Sequence, residues 1–303
     1  MLPIAVIVGL PGSACAQGGD STASPRELAI TIGSLVIAAG ALVWLWRKDV
    51  IRPGSFRRHP GTQAPRPASA MALLALMLGC FVLSSLAQII AVGAIGADPE
   101  HGLTVRQMGI VNLVVGPVSV IVAVSAFIAA HRLDTIPRFR LSIKGFGLGL
   151  LLSLFVLPMA MAASSVTLLI ATALGHGPSD AIAHDTLNAI LAPEAGVWKW
   201  VLIVGAVVVT PIVEEVLFRG LLQSALAAIL PGRWGKWGAV QIASALFTLA
   251  HTTGGVEWHS LPAIAVLGLS MAVAYERTGR IAVPIAMHVA FNGANVLLAL
   301  FIQ

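Results

Sequence analysis

The chain has 303 residues, 57% of them hydrophobic and 10% charged, with a mean hydropathy of +0.92, whereas a soluble domain carries about 25% charged residues. Thirteen acids and eighteen bases are too few to coat a water-soluble globule of this size, so an ordinary soluble enzyme is excluded and lipid is the main solvent. Cys15 and Cys80 lie far apart, which excludes a disulfide framework and a CxxC metal site.

The first 25 residues hold an apolar stretch, then Pro11-Gly12, then Ala14-Cys15-Ala16 before a polar GGDSTASP segment. This pattern resembles a secretory signal with an A-x-A cleavage site, although the positive n-region is missing. Residues 1–25 read either as that signal peptide or as a disordered N-terminus outside the fold. Eight apolar runs follow, at 27–46, 70–97, 107–130, 145–175, 198–230, 238–252, 261–275 and 281–301, most of them near the roughly 20 residues that cross a bilayer. The fourth and fifth are longer than needed, and the sixth and seventh short enough to be tilted, re-entrant or buried by neighbours. The expected fold is therefore all-α, a polytopic transmembrane bundle of about eight helices. The division expected is four helices over 26–197, with a flexible basic cytoplasmic linker at 47–69, and a catalytic unit over 198–303.

Fourteen of the eighteen bases fall in the connections after runs one, three, five and seven, among them Arg47, Arg57, Arg132, Arg233 and Arg280. Positive charge is retained on the cytoplasmic side, so both termini are expected outside, in a bacterial cytoplasmic membrane. The same distribution accounts for the net charge of +5 as topology and attraction to anionic lipid, and no basic face remains for nucleic acid.

Three charges stand inside the apolar runs, all within PIVEEVLFRG: Glu214, Glu215 and Arg219. A charge near the bilayer centre costs about 2.5–3.5 kcal/mol on insertion scales, so such residues mark function by default. Glu215 and Arg219 are i,i+4 and can neutralise each other, while Glu214 is rotated by about 100° and is left over. A surplus carboxylate in a low-dielectric site suits a general base. Of eight histidines, His59, His101, His131, His176, His184 and His259 fall in or beside expected loops and read as solvated. His251 ends ALFTLAH with Phe247 one turn before it, and His288 precedes Asn292 by one turn in HVAFN.

Two chemistries fit this set. In one, Glu214 and His251 deprotonate a water while His288 and Asn292 donate to the oxyanion of an attacked peptide carbonyl. In the other, Glu214, His251 and His288 hold a divalent metal such as zinc. No HExxH is present.

The three segments Glu214-Glu215-Val-Leu-Phe-Arg219, Phe247-Thr-Leu-Ala-His251 and His288-Val-Ala-Phe-Asn292 resemble, in order, the EExxxR, FxxxH and HxxxN/D motifs of the CAAX protease and bacteriocin-processing (CPBP) family of intramembrane proteases. The resemblance covers roughly residues 198–301. It implies an all-helical intramembrane endopeptidase acting on a membrane-associated peptide or protein, with a polar cavity opening toward the cytoplasm. By the family pattern Glu214 and His251 activate water, His288 and Asn292 form the oxyanion site, and Glu215, Arg219 and Phe247 support it. The family is described both as metalloproteases and as glutamate-dependent, metal-free enzymes, so the cofactor is either none or a divalent metal. A non-catalytic immunity or peptide-binding protein and a proton or metal transporter are the rival readings. One tension arises: loop counting places Glu214 and His288 in the cytoplasmic half but His251 about 20 Å from that side, unless an interfacial segment at 231–237 sets run six deeper.

Overall fold

Each apolar run becomes a helix, because a backbone in lipid has to satisfy its own N–H and C=O groups. A computed structural model describes residues 25–59, 61, 64–96, 102–133, 142–175, 185–232, 235–253 and 258–302; the signal-like residues 1–24 lie outside the described ones. The helices are α1 (Pro25–Arg47), α2 (Ala70–Ala94), α3 (Val105–Arg132), α4 (Ile143–Ala173), the short α5 (Asp185–Leu191), α6 (Trp198–Ile229), α7 (Gly235–Ala250), α8 (Leu261–Thr278) and α9 (Ala282–Ile302). No strand occurs among the described residues, so the all-α polytopic architecture stands.

Local chemistry sets several of the ends. Thr104 caps α3 in a reciprocal box: its hydroxyl accepts from the Gln107 backbone N–H while the Gln107 side chain accepts from the Thr104 N–H. Ser142 caps α4 by accepting from the Gly145 N–H at 2.9 Å. Gly279, at φ 62°, ends α8 in the left-handed conformation that glycine adopts without cost.

Seven helices among the described residues are long and apolar enough to cross a membrane. The sixth run forms a helix too, but α7 has 16 residues and reaches only about 24 Å. It lies against α6 and α8, with Ile242, Leu246 and Leu249 of its outer face exposed.

Packing arranges the rest around α6. Helices α2 and α3 pair, α3 running along the length of α6 and α2 against its second half, where Leu73, Phe127, Val213, Val216, Leu217 and Leu221 share a buried cluster. Gly220 is needed there, since a Cβ would run into the Phe127 ring. On the other side α4 packs on α8 and α9, enclosing Phe247, Leu267, Met271, Val283, Met287 and Phe291. Helix α1 lies outside, against α4. Outer faces stay apolar, with Val36, Ile90, Ile121 and Leu154 exposed, as lipid contact requires.

The basic stretch expected as a flexible linker is instead folded onto the ends of α7 and α8. Ser55 and Phe56 are buried, and the Phe56 ring lies between Trp237, at 4.7 Å, and the Arg277 guanidinium, at 4.1 Å. Arg277 also donates to the carbonyls of Val50 and His59 and to the Ser55 hydroxyl, at 2.6–2.8 Å. The reason is that three main-chain and hydroxyl acceptors converge on one guanidinium, which the Arg/Pro-rich composition does not reveal.

Candidate active site

The two glutamates arrive at the end of a short α-helical stretch, Thr210–Glu215, set between two π-helical segments of α6, Gly205–Val209 and Val216–Gln223. Pro211 follows the first of these and has no backbone N–H to give to the ladder. Widened turns of this kind leave carbonyls to other donors and recur at functional sites.

Glu214, Glu215 and Arg219 are all buried, the last two completely. Glu215 Oε1 accepts from Arg219 Nη1 at 3.0 Å, the pairing that the four-residue spacing predicts. The same oxygen accepts from His288 Nδ1 at 2.9 Å. An arginine-paired carboxylate is an acceptor, so Nδ1 of His288 carries the hydrogen. Its Nε2 then faces Glu214, at 3.8 Å from Oε2. Neither of those two atoms has a hydrogen-bond partner. Their separation is too long for a direct bond and is the kind of gap that a single water bridges.

Arg219 is held on three sides. Besides Glu215, its Nη2 donates to the Gly268 carbonyl at 3.1 Å, and its guanidinium lies 4.2 Å from the centroid of Phe247. A desolvated cation on an aromatic face gains about 2 kcal/mol. Phe247 is the hub of the cluster, with Phe218, His251 and His288 rings at 5.2, 4.5 and 5.8 Å. Gly268 makes room for this: a Cβ there would come within 3.1 Å of the Phe247 ring.

His251 is fixed by its own helix end. Helix α7 stops at Ala250 and a 3-10 turn begins with His251, which leaves the last carbonyls without intrahelical donors. His251 Nδ1 donates to one of them, Phe247 O, at 2.7 Å, so the spacing of the FxxxH motif is that of a histidine capping its own helix. Asn292 lies one turn beyond His288 on α9 and donates from Nδ2 to Ala206 O at 2.9 Å, inside the first π segment of α6. It thereby ties α9 to α6 just ahead of the glutamates.

Six of the seven sequence-derived residues are thus joined in one buried cluster made by α6, α7, α8 and α9, while Asn292, one turn beyond His288, bonds to Ala206. The tension over depth dissolves in the geometry. From the turn joining α6 and α7, Glu214 is fifteen residues back and His251 sixteen residues on from Gly235, about 22 and 24 Å along the helices. Glu214 lies deep in α6, and so at a depth comparable to that of His251.

Two residues lie deeper than the runs indicated. Glu276, one position past the seventh run, is buried within α8, which runs on to Thr278. It pairs with Lys236 Nζ at 3.0 Å. His259, expected to be solvated, is buried in the turn before α8. Sequence reasoning also passed over Gln223, completely buried and donating to Ala272 O at 3.0 Å; an amide inside an apolar run, one turn after Arg219, was the available signal.

For a metal, the donor set is the test. Among the described residues no group of three or more His, Cys, Asp or Glu side chains is arranged to hold an ion. His251 and His288 have Nδ1 committed to Phe247 O and Glu215, which leaves Nε2 as the nitrogen either would offer to a metal.

No curated protein and no solved structure matches the chain. Residues 196–294 match the family model described as type II CAAX prenyl endopeptidase Rce1-like, a stretch that holds all three motifs and all seven site residues. Over that C-terminal stretch, about a third of the chain, it is similar to the Rce1-like CAAX protease family, in line with its motifs.

Proposed function

We propose that the protein is an intramembrane endopeptidase that hydrolyses a peptide bond of a membrane-associated peptide with a water activated by Glu214. The observation that carries this is the facing pair Glu214 Oε2 and His288 Nε2, 3.8 Å apart and without hydrogen-bond partners, at the centre of a membrane-buried cluster. A water between them gives a proton to Glu214 as its oxygen bonds to the carbonyl carbon. Glu214 then returns that proton to the amide nitrogen as the C–N bond breaks, so the products are a carboxyl terminus and a free amine.

The other residues follow from their contacts. Glu215, neutralised in part by Arg219, keeps the Nδ1 hydrogen of His288 in place and so fixes the ring with Nε2 toward Glu214 and the water. His251 and Asn292 complete the site, the first as a partner base anchored through Phe247 and the second as a donor anchored at Ala206. No step needs a metal, and a chelator is expected to leave cleavage unchanged in the purified, membrane-reconstituted protein. The family name points to prenylated C-terminal peptides; the substrate class proposed for this chain is a peptide held at the membrane. The distribution of its bases supports an orientation with both termini outside, and a bacterial cytoplasmic membrane is the location proposed with it.

Glu214→Gln keeps the shape and removes the base. With a quenched-fluorescent peptide library in reconstituted membranes, the wild type cleaves and the variant loses about 10²–10⁴-fold in rate. Equal cleavage by both would end the proposal, and a cellular effect that survives the substitution would favour a non-catalytic binding role.

A further inference from the structure

We infer that Gln223 and Glu276 are positioning residues for the proposed catalytic cluster, acting through Arg219; the inference rests on the protease reading only for its effect on turnover. The geometry is a ladder between α6 and α8. Arg219 Nη2 donates to Gly268 O at 3.1 Å and Gln223 Nε2 donates to Ala272 O at 3.0 Å. The donors are four residues apart on α6 and the acceptors four residues apart on α8, so the two rungs fix one register between the helices.

That register matters because Val216–Gln223 is π-helical, with a backbone less well determined by its own hydrogen bonds than an α-helix. Side-chain rungs to a neighbouring regular helix supply what the segment lacks. The acceptors are carbonyls beside small residues, Gly268 and Ala272, which let the helices approach. Glu276, one turn beyond Ala272, extends the ladder. Its Oε2 is 3.5 Å from Gln223 Nε2 and its Oε1 3.0 Å from Lys236 Nζ, so the second rung is pinned from α7 as well. Gln223 and Glu276 touch neither Glu214 nor His288 in any bond described above. Their effect runs from Gln223 through the register to Arg219, then to Glu215 Oε1, then to His288 Nδ1.

The test uses the full chain in lipid nanodiscs, labelled with ¹⁵N at arginine and histidine. Gln223→Met keeps length and apolar packing but removes the donor; Glu276→Gln keeps the shape and a hydrogen-bonding group. The expected result for Gln223→Met is a displaced Arg219 guanidinium signal and a displaced His288 Nδ1 signal, with kcat down about tenfold and KM within about twofold, as misplacement without lost binding requires. Glu276→Gln is expected to shift the same signals less. A thermal melt checks that both variants are folded. Unmoved Arg219 and His288 signals in folded Gln223→Met overturn the inference, whether or not any peptide is cleaved. Absence of wild-type cleavage with the signals displaced would instead sink the protease reading and keep the ladder.

Discussion

Two carboxylates and one arginine buried side by side leave one acid without a partner of its own, and the division of labour follows from which oxygen meets which donor. Glu215 spends one oxygen on both Arg219 and His288, so Arg219→Leu leaves a buried carboxylate uncompensated and is expected to destabilise the protein by about 3–5 kcal/mol. The melting temperature in nanodiscs checks this, and Glu214→Gln is expected to melt near the wild type, since its Oε2 atom forms no hydrogen bond. Gly268→Ala pushes a methyl group against Phe247 and is expected to cost about 1–3 kcal/mol, with activity falling along with stability. The catalytic set was legible at this scale because charge is scarce: in a chain with 10% charged residues, three ionisable groups inside an apolar run stand out. The Glu215–Arg219 pair followed from spacing alone. What spacing could not give was the third party, since the bond from His288 to Glu215 joins residues 73 apart, and the stacking of Arg219 on Phe247 depends on how α7 meets α6.

Among the elements, α6 was read as one long helix and is one, but its two π segments were not legible. Pro211, with no N–H to give, follows the first and Asn292 takes up its Ala206 carbonyl, and no periodicity of apolar residues records that. The strap at 48–59 was the larger surprise, a polar stretch folded by acceptors converging on Arg277. Arg277→Ala removes three donated bonds and the stack on Phe56. Limited proteolysis of the reconstituted protein is expected to nick this segment several-fold faster in the variant, and an unchanged rate would show that the strap is held by other contacts. Its pH response has a definite sign. Asp49 is held below the usual carboxylate range, chiefly by the hydrogen bond from Arg58 with a smaller coulombic contribution from the same side chain. Such a group contributes above its unfolded pKa of about 3.9 and loses that contribution as the pH falls through its lower folded value. The strap is therefore expected to keep this contribution at pH 5 and to lose it only below about pH 4, where tryptophan fluorescence from Trp46 and Trp237 would report its release.

For the whole molecule, the fold class followed from composition and run length, and seven of the eight runs became helices long enough to span. The eighth, α7, is short because it ends at the site, where His251 turns back to cap it. Topology is tested by single cysteines on a Cys-free background: residue 57 is expected to react with an impermeant thiol reagent only when the cytoplasmic side is opened. Reaction in intact cells would reverse the orientation. The central claim, that this buried cluster cuts peptides, is tested most directly by comparing membrane proteomes of cells carrying the wild type and Glu214→Ala. The account predicts peptide termini present with the wild type and absent with the variant, mapping to membrane-held segments; identical sets of termini in the two, at equal protein levels, would contradict it.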